Sequence, residues 1–90
     1  MNEIRSIVTG RVQMVMFRDF TRRQARSLGL MGTVKNLNDG TVEVVAQGGK
    51  EQLEVFIERL RKGSLFSRVD DVVVAWREPS VTLDGFHIIS

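Results

Sequence analysis

From residue 4 to residue 11 the chain alternates, with Ile4, Ser6 and Val8 on one face and Arg5, Ile7 and Thr9 on the other. A period of two over a β-branched run predicts a strand that ends near Gly10, with the first set facing the core. From Phe17 the period lengthens. Phe17, Phe20, Ala25 and Leu28 fall on one side of a helix, and Gly29-Leu30 predicts a Schellman stop with the glycine left-handed. Residues 31–36 and 41–48 are β-prone arms around Leu37-Asn38-Asp39-Gly40, and the Asp-Gly pair predicts a hairpin because glycine takes φ > 0 freely. In the second arm Val42, Val44 and Ala46 share a face. Leu53, Phe56, Ile57 and Leu60 recur at i, i+3, i+4 and i+7, predicting a helix over residues 50–62 that stops at Gly63. Residues 69–76 predict another strand, Pro79 interrupts, and residues 86–89 form a short last strand. The order β-α-β-β-α-β plus a tail strand predicts an α+β, ferredoxin-like split-βαβ sandwich. Both helices then lie on one face of a mostly antiparallel sheet. No internal repeat or linker appears, so residues 1–90 are expected to form one domain.

Composition narrows the chemistry. The 90 residues carry 13 Lys and Arg against 11 Asp and Glu, a net charge of +2, with 42% hydrophobic and 27% charged residues, which excludes disorder by composition. With no cysteine and one histidine, the chain has no disulfide framework, no thiol nucleophile and no His-rich metal cluster. No apolar run approaches the roughly 20 residues of a membrane span, so a cytoplasmic protein without a membrane partner is expected.

The charge is uneven. Residues 1–30 hold six arginines (Arg5, Arg11, Arg18, Arg22, Arg23, Arg26) against Glu3 and Asp19. Such a basic third attracts phosphate-bearing partners. The second helix obeys the helix dipole, with Glu51 and Glu54 early and Arg59, Arg61 and Lys62 late. The first opens on Arg18 with Arg22 one turn on, and only Asp19 offsets them. A cation there costs roughly 0.3–1 kcal/mol, and an anion bound at the free N–H groups of the helix start removes the conflict. The alternative is that Arg18 pairs with a distant carboxylate or faces solvent.

The same stretch carries a resemblance. Gly10-Arg11-Val12-Gln13-x-Val15-x-Phe17-Arg18, then Ala25, Gly29-Leu30-x-Gly32, Val34-x-Asn36, Asp39-Gly40-x-Val42-Glu43 and Gly85-Phe86 resemble the acylphosphatase family over nearly the whole chain. Two positions depart from it: Met14 stands where the family has glycine, and Thr33 where it usually has an aromatic residue. The resemblance implies a hydrolase that needs no metal or cofactor and cleaves the carboxyl–phosphate bond of small acyl phosphates, releasing a carboxylate and inorganic phosphate. It implies that Arg18 binds the phosphate and that Gln13, Met14, Val15, Met16 and Phe17 supply backbone N–H groups to it. It implies that Asn36 orients the attacking water.

The inventory suits that chemistry. Phosphoryl transfer rests on positioning and charge stabilisation, and a carboxylate with a pKa of roughly 4 leaves without a general acid. Neutral Asn36 can hold water but cannot take its proton. Methionine at position 14 leaves two expectations. Either it sits at φ < 0 with its side chain turned away, or the loop moves and donors are lost. Reduced activity is expected on balance.

Other features carry less. His87 points away from the face of Phe86 and Ile88 and is read as structural. Asn36-x-Asn38-Asp39-Gly40 lacks the closing glutamate of a Ca²⁺ loop, and Gly48-Gly49-Lys50 lacks the first glycine of a P-loop. Asp70 and Asp71 point to opposite sides of a strand. Two other readings stand beside hydrolysis: a weakly active phosphate-binding relative, and an RNA-binding module of the same topology. Residues 41–48 carry no stacking aromatic, which disfavours nucleic acid. A monomer is expected.

Overall fold

The computed structural model describes residues 1–90. The elements are β1 (Asn2–Arg11), α1 (Phe17–Ser27), β2 (Met31–Asn36), β3 (Val42–Gly48), α2 (Lys50–Lys62), β4 (Arg68–Arg77) and β5 (Phe86–Ile88). They build one five-stranded sheet in the order β4-β1-β3-β2-β5. The β1–β3, β1–β4 and β2–β3 pairs are antiparallel, while β5 adds to the outer edge of β2 in parallel, Gly32 opposite Phe86 and Val34 opposite Ile88. The expected split-βαβ sandwich is what forms.

The core follows the predicted alternation. Ile4, Ser6 and Val8 are buried, as are Val42, Val44 and Ala46 beside them on β3. Leu53, Phe56, Ile57 and Leu60 of α2 close over this face, with Phe17 and Ala25 from α1. Phe20 and Leu28 are only half-buried, and Thr21 takes the buried place between them.

Strand ends differ by a few residues, for identifiable reasons. Strand β4 spans Arg68–Arg77 because it pairs along the length of β1, from Arg11 opposite Arg68 to Glu3 opposite Arg77. Strand β3 starts at Val42 because Asp39 Oδ1 holds Thr41 in the turn, accepting from its N–H at 3.0 Å and its hydroxyl at 2.6 Å. Helix α1 stops as predicted. Gly29 sits at φ 71°, its N–H donates to Arg26 O at 3.1 Å, and the Leu30 N–H donates to Ala25 O at 2.9 Å.

Gly10 shapes what comes next. The β1–β4 register slips between Thr9 and Gly10, where glycine takes φ 134° and a Cβ would strike the Arg68 carbonyl. The bulge bends the end of β1 into the loop that leads to α1. No helix is long and apolar enough to cross a membrane.

Candidate active site

One end of the sheet gathers the chemistry. The antiparallel pairings place the end of β1, the end of β2 and the start of β4 together, and parallel β5 ends there too. Loops 12–16, 37–41 and 63–67 therefore share this end. Parallel β5 also brings the C-terminus: Asn36 N–H donates to Ser90 O at 3.1 Å.

The loop before α1 has an unusual backbone. Met14 and Met16 both sit at φ 61°, the only two residues other than glycine at positive φ, with Val15 between them. Alternation between right- and left-handed positions turns successive N–H groups toward one side and makes a concave anion nest. The β-branched Val15 stays off positive φ, where it would be an outlier, and the unbranched methionines take the strained places. Met16 is also the N-cap of α1 and offers no side-chain cap. None of the N–H groups from Gln13 to Asp19 donates a hydrogen bond within the protein. Unspent donors over such a run mark a site rather than a structural turn.

Met14 thus does neither thing the sequence suggested. It does not retreat to φ < 0, and the loop does not lose its curvature. The residue takes the glycine conformation and points its side chain outward, 98% exposed. Holding a non-glycine residue there costs on the order of 1–3 kcal/mol.

Arg18 lies half-buried in the first turn of α1. It is absent from all six ion pairs of the chain, so the alternative in which it pairs with a distant carboxylate does not occur. Asp19 instead holds Arg22 at 2.6 Å and Arg23 at 3.0 Å. The Arg22 hydrogen bond, with the charges of both arginines, keeps the Asp19 carboxyl below its ordinary range. Asp19 is thereby committed to Arg22 and Arg23, and Arg18 is left without an ion-pair partner. A depression of about 160 Å³ is lined by Met14, Met16, Phe17 and Arg18, with Val12, Asp19 and Ile88.

Asn36 borders a neighbouring depression with Lys35, Leu37, Asn38, Ile89 and Ser90, so the tail after β5 runs between the two. Its side-chain Oδ1 is buried and unpartnered. Val15 lies apart from both and lines a third groove. Gln13 lines none of these, but its side chain joins the parts: Nε2 donates to Leu37 O at 2.9 Å and to Thr41 O at 2.8 Å. The loop bearing the free N–H groups is therefore tied to the residue that follows Asn36. Sequence reasoning used Gln13 only for its backbone and missed this brace. Its signal was a long amide placed among Val12, Met14 and Val15. His87 is exposed and its Nε2 lies 2.9 Å from Asp84 O, a local turn contact outside the site.

Fold and site together define a small α+β sandwich with a backbone anion nest beside an unpaired guanidinium. A family model described as acylphosphatase matches residues 4–88. An acylphosphatase of Thermus thermophilus is 48% identical over 92% of this chain and 93% of its own, and one of Dehalococcoides mccartyi 47% identical over 98% of each. The crystal structure of acylphosphatase from Bacillus subtilis superposes with a TM-score of 0.97 at 40% identity, covering all of both chains. The chain belongs to the acylphosphatase family and is a hydrolase of that family.

Proposed function

We propose that the chain, one domain over residues 1–90, hydrolyses small acyl phosphates without a metal or cofactor, as a cytoplasmic monomer, using Arg18, Asn36 and the 13–17 loop. The observation that carries this reading is the unbroken run of unspent N–H donors from Gln13 to Asp19 beside an arginine with no ion pair. Those donors surround three phosphoryl oxygens, and the Arg18 fork neutralises the charge that grows on them as the bond to the carboxylate lengthens.

Water attacks phosphorus while the phosphorus–oxygen bond to the acyl group breaks. The electron pair leaves on the carboxylate, which is stable as an anion. Asn36 orients the water through its side-chain amide, and the released proton goes to a phosphoryl oxygen, because a neutral amide cannot take it. Asp19 is no base for it either, since its carboxylate is committed to Arg22 and Arg23.

The test is turnover of acetyl and benzoyl phosphate by the purified chain, with and without chelator, against Arg18→Ala. Chelator-insensitive turnover that Arg18→Ala abolishes is expected. Turnover that survives in Arg18→Ala puts the phosphate elsewhere. Binding without turnover favours the weakly active relative.

A further inference from the structure

The accessible sulfur of this chain is gathered at the phosphate loop. There are four methionines and no cysteine. Met14 is 98% and Met16 73% exposed, and both line the depression that contains Arg18. Met1 and Met31 stand at the opposite end of the sheet, where β1 and β2 begin, and Met31 is half-buried. The two thioethers of the loop sit on the two left-handed residues, with only Val15 between them. The backbone there asks for a side chain unbranched at Cβ, which leucine or glutamine meets as well as methionine does. What methionine adds is a sulfur that an oxidant reaches from solvent.

Hydrogen peroxide converts such a thioether to a sulfoxide. The sulfur lone pair attacks one peroxide oxygen, the O–O bond breaks and an S–O bond forms, and the other oxygen leaves as water with both protons. Sulfur is oxidised by two electrons and the peroxide is reduced by two. A thioether is a weak acceptor, whereas the sulfoxide is polar and its oxygen accepts hydrogen bonds well. That oxygen rides on a side chain with three rotatable bonds. Beside it lie the N–H groups from Gln13 to Asp19, which donate to nothing within the protein, and the unpaired Arg18 guanidinium. These are the donors that hold a phosphate. We propose that Met14 and Met16 are a reversible oxidation site, and that their sulfoxide oxygens occupy the donors of the nest and exclude phosphate from it. The site itself rests on the exposed sulfurs, and its effect on phosphate rests on the phosphate reading of the loop. A thiol-dependent methionine sulfoxide reductase returns the two electrons, removes the oxygen as water and frees the donors.

The experiment treats the purified chain with hydrogen peroxide, maps the sulfoxides by mass spectrometry, and measures inorganic phosphate binding by calorimetry before oxidation, after it and after reductase treatment. Residues 14 and 16 should oxidise ahead of Met31. Phosphate affinity should then fall about tenfold or more, the worth of one hydrogen bond to a charged group, and recover on reduction. The Met14→Leu, Met16→Leu double variant keeps side chains unbranched at Cβ, and circular dichroism checks its fold. Compared with its own untreated state, it should lose no phosphate affinity on peroxide treatment. Sulfoxides at 14 and 16 with unchanged phosphate affinity, or an equal loss in the double variant, overturns the proposal. An untreated chain that neither binds phosphate nor turns over acetyl phosphate would instead sink the phosphate reading alone. The oxidation site is then judged on the amides of residues 13–19 by nuclear magnetic resonance. Shifted, more slowly exchanging N–H groups in the oxidised chain uphold it, and unchanged ones overturn it.

Discussion

The two helices begin in contrasting ways. Neither has a side-chain cap, and at both the first-turn N–H groups are free of intrahelical partners, as at any helix start. Helix α2 follows Gly49 in extended geometry at φ −71°, carries Glu51 in its first turn and ends on Arg59, Arg61 and Lys62. Lys50 opens it against the dipole, as Arg18 does in α1, but Glu51 beside it and the cations of its last turn agree with the dipole. Helix α1 follows a left-handed methionine, opens with Arg18 against the dipole, and is preceded by a loop of unspent donors. Strain, charge and hydrogen bonding are all unfavourable at that one place. The coincidence of backbone strain, an unpaired cation and unspent donors at one place is what supports the proposed phosphate site there.

Breaking this contrast at its centre gives the largest effect. Arg18→Ala should lower kcat/KM by at least about 10³-fold and abolish competitive inhibition by inorganic phosphate, measured by steady-state kinetics. In phosphate-free buffer its stability to urea should be unchanged or higher by about 0.3–1 kcal/mol, since a cation has left the positive end of a helix. Asn36→Ala separates the two halves of the site. Phosphate should still inhibit, because loop and arginine remain, while kcat falls about 10²–10³-fold. Lost phosphate affinity with little change in kcat would make Asn36 a support for the loop.

Much of the fold was legible because its signals are local and agree with one another. The bounds of β2 and α2, the Gly29 stop and the buried faces of β1 and β3 follow from periodicity and turn residues alone. The exact extent of β4 was not legible, since it depends on its antiparallel partner rather than on its own pattern. At the site, the misplaced charge of Arg18 could be read from sequence. The two left-handed methionines could not, because methionine gives no propensity for φ > 0, and the pairing of Gln13 with loop 37–41 joins residues far apart in the chain.

Relieving the strain sharpens the same contrast more gently. The sequence alone led to an expectation of reduced activity from Met14. With Met14 already in the glycine conformation, the loop curvature is in place, so the gain from Met14→Gly moves to stability. Removing about 1–3 kcal/mol of backbone strain, against up to about 1 kcal/mol of added freedom in the unfolded chain, should leave the variant about 1 kcal/mol more stable. Its kcat/KM should stay within a few-fold of wild type. Chemical denaturation with parallel kinetics decides it: a less stable, much faster variant would mean that the methionine distorts the nest after all.

The smallest expected effect is on acid stability, and it compares α1 with the far end of the sheet. Asp19 is held below its ordinary value of 3.8 by the Arg22 hydrogen bond and by both neighbouring arginines. At the other end of the molecule burial alone would raise Glu3 above 4.5, but hydrogen bonds from Gln47 and Arg77 and the Arg77 charge outweigh it and lower it. A carboxyl whose folded pKa is depressed stabilises the fold fully above its unfolded value, and that share is lost as pH falls through the lower folded value. Both contributions are therefore intact at neutral pH and fade below about pH 4. Urea midpoints measured from pH 7 down to pH 2 should fall less steeply for Glu3→Gln than for wild type. Asp19→Asn should flatten the curve less, since its pairs are more exposed to water than the Glu3 carboxylate. Asp19→Asn also removes the one acid lining the Arg18 depression, so inorganic phosphate should inhibit it more tightly, by no more than about fivefold. Weaker inhibition would mean that Asp19 is needed to hold Arg22 and Arg23 in a shape the nest depends on.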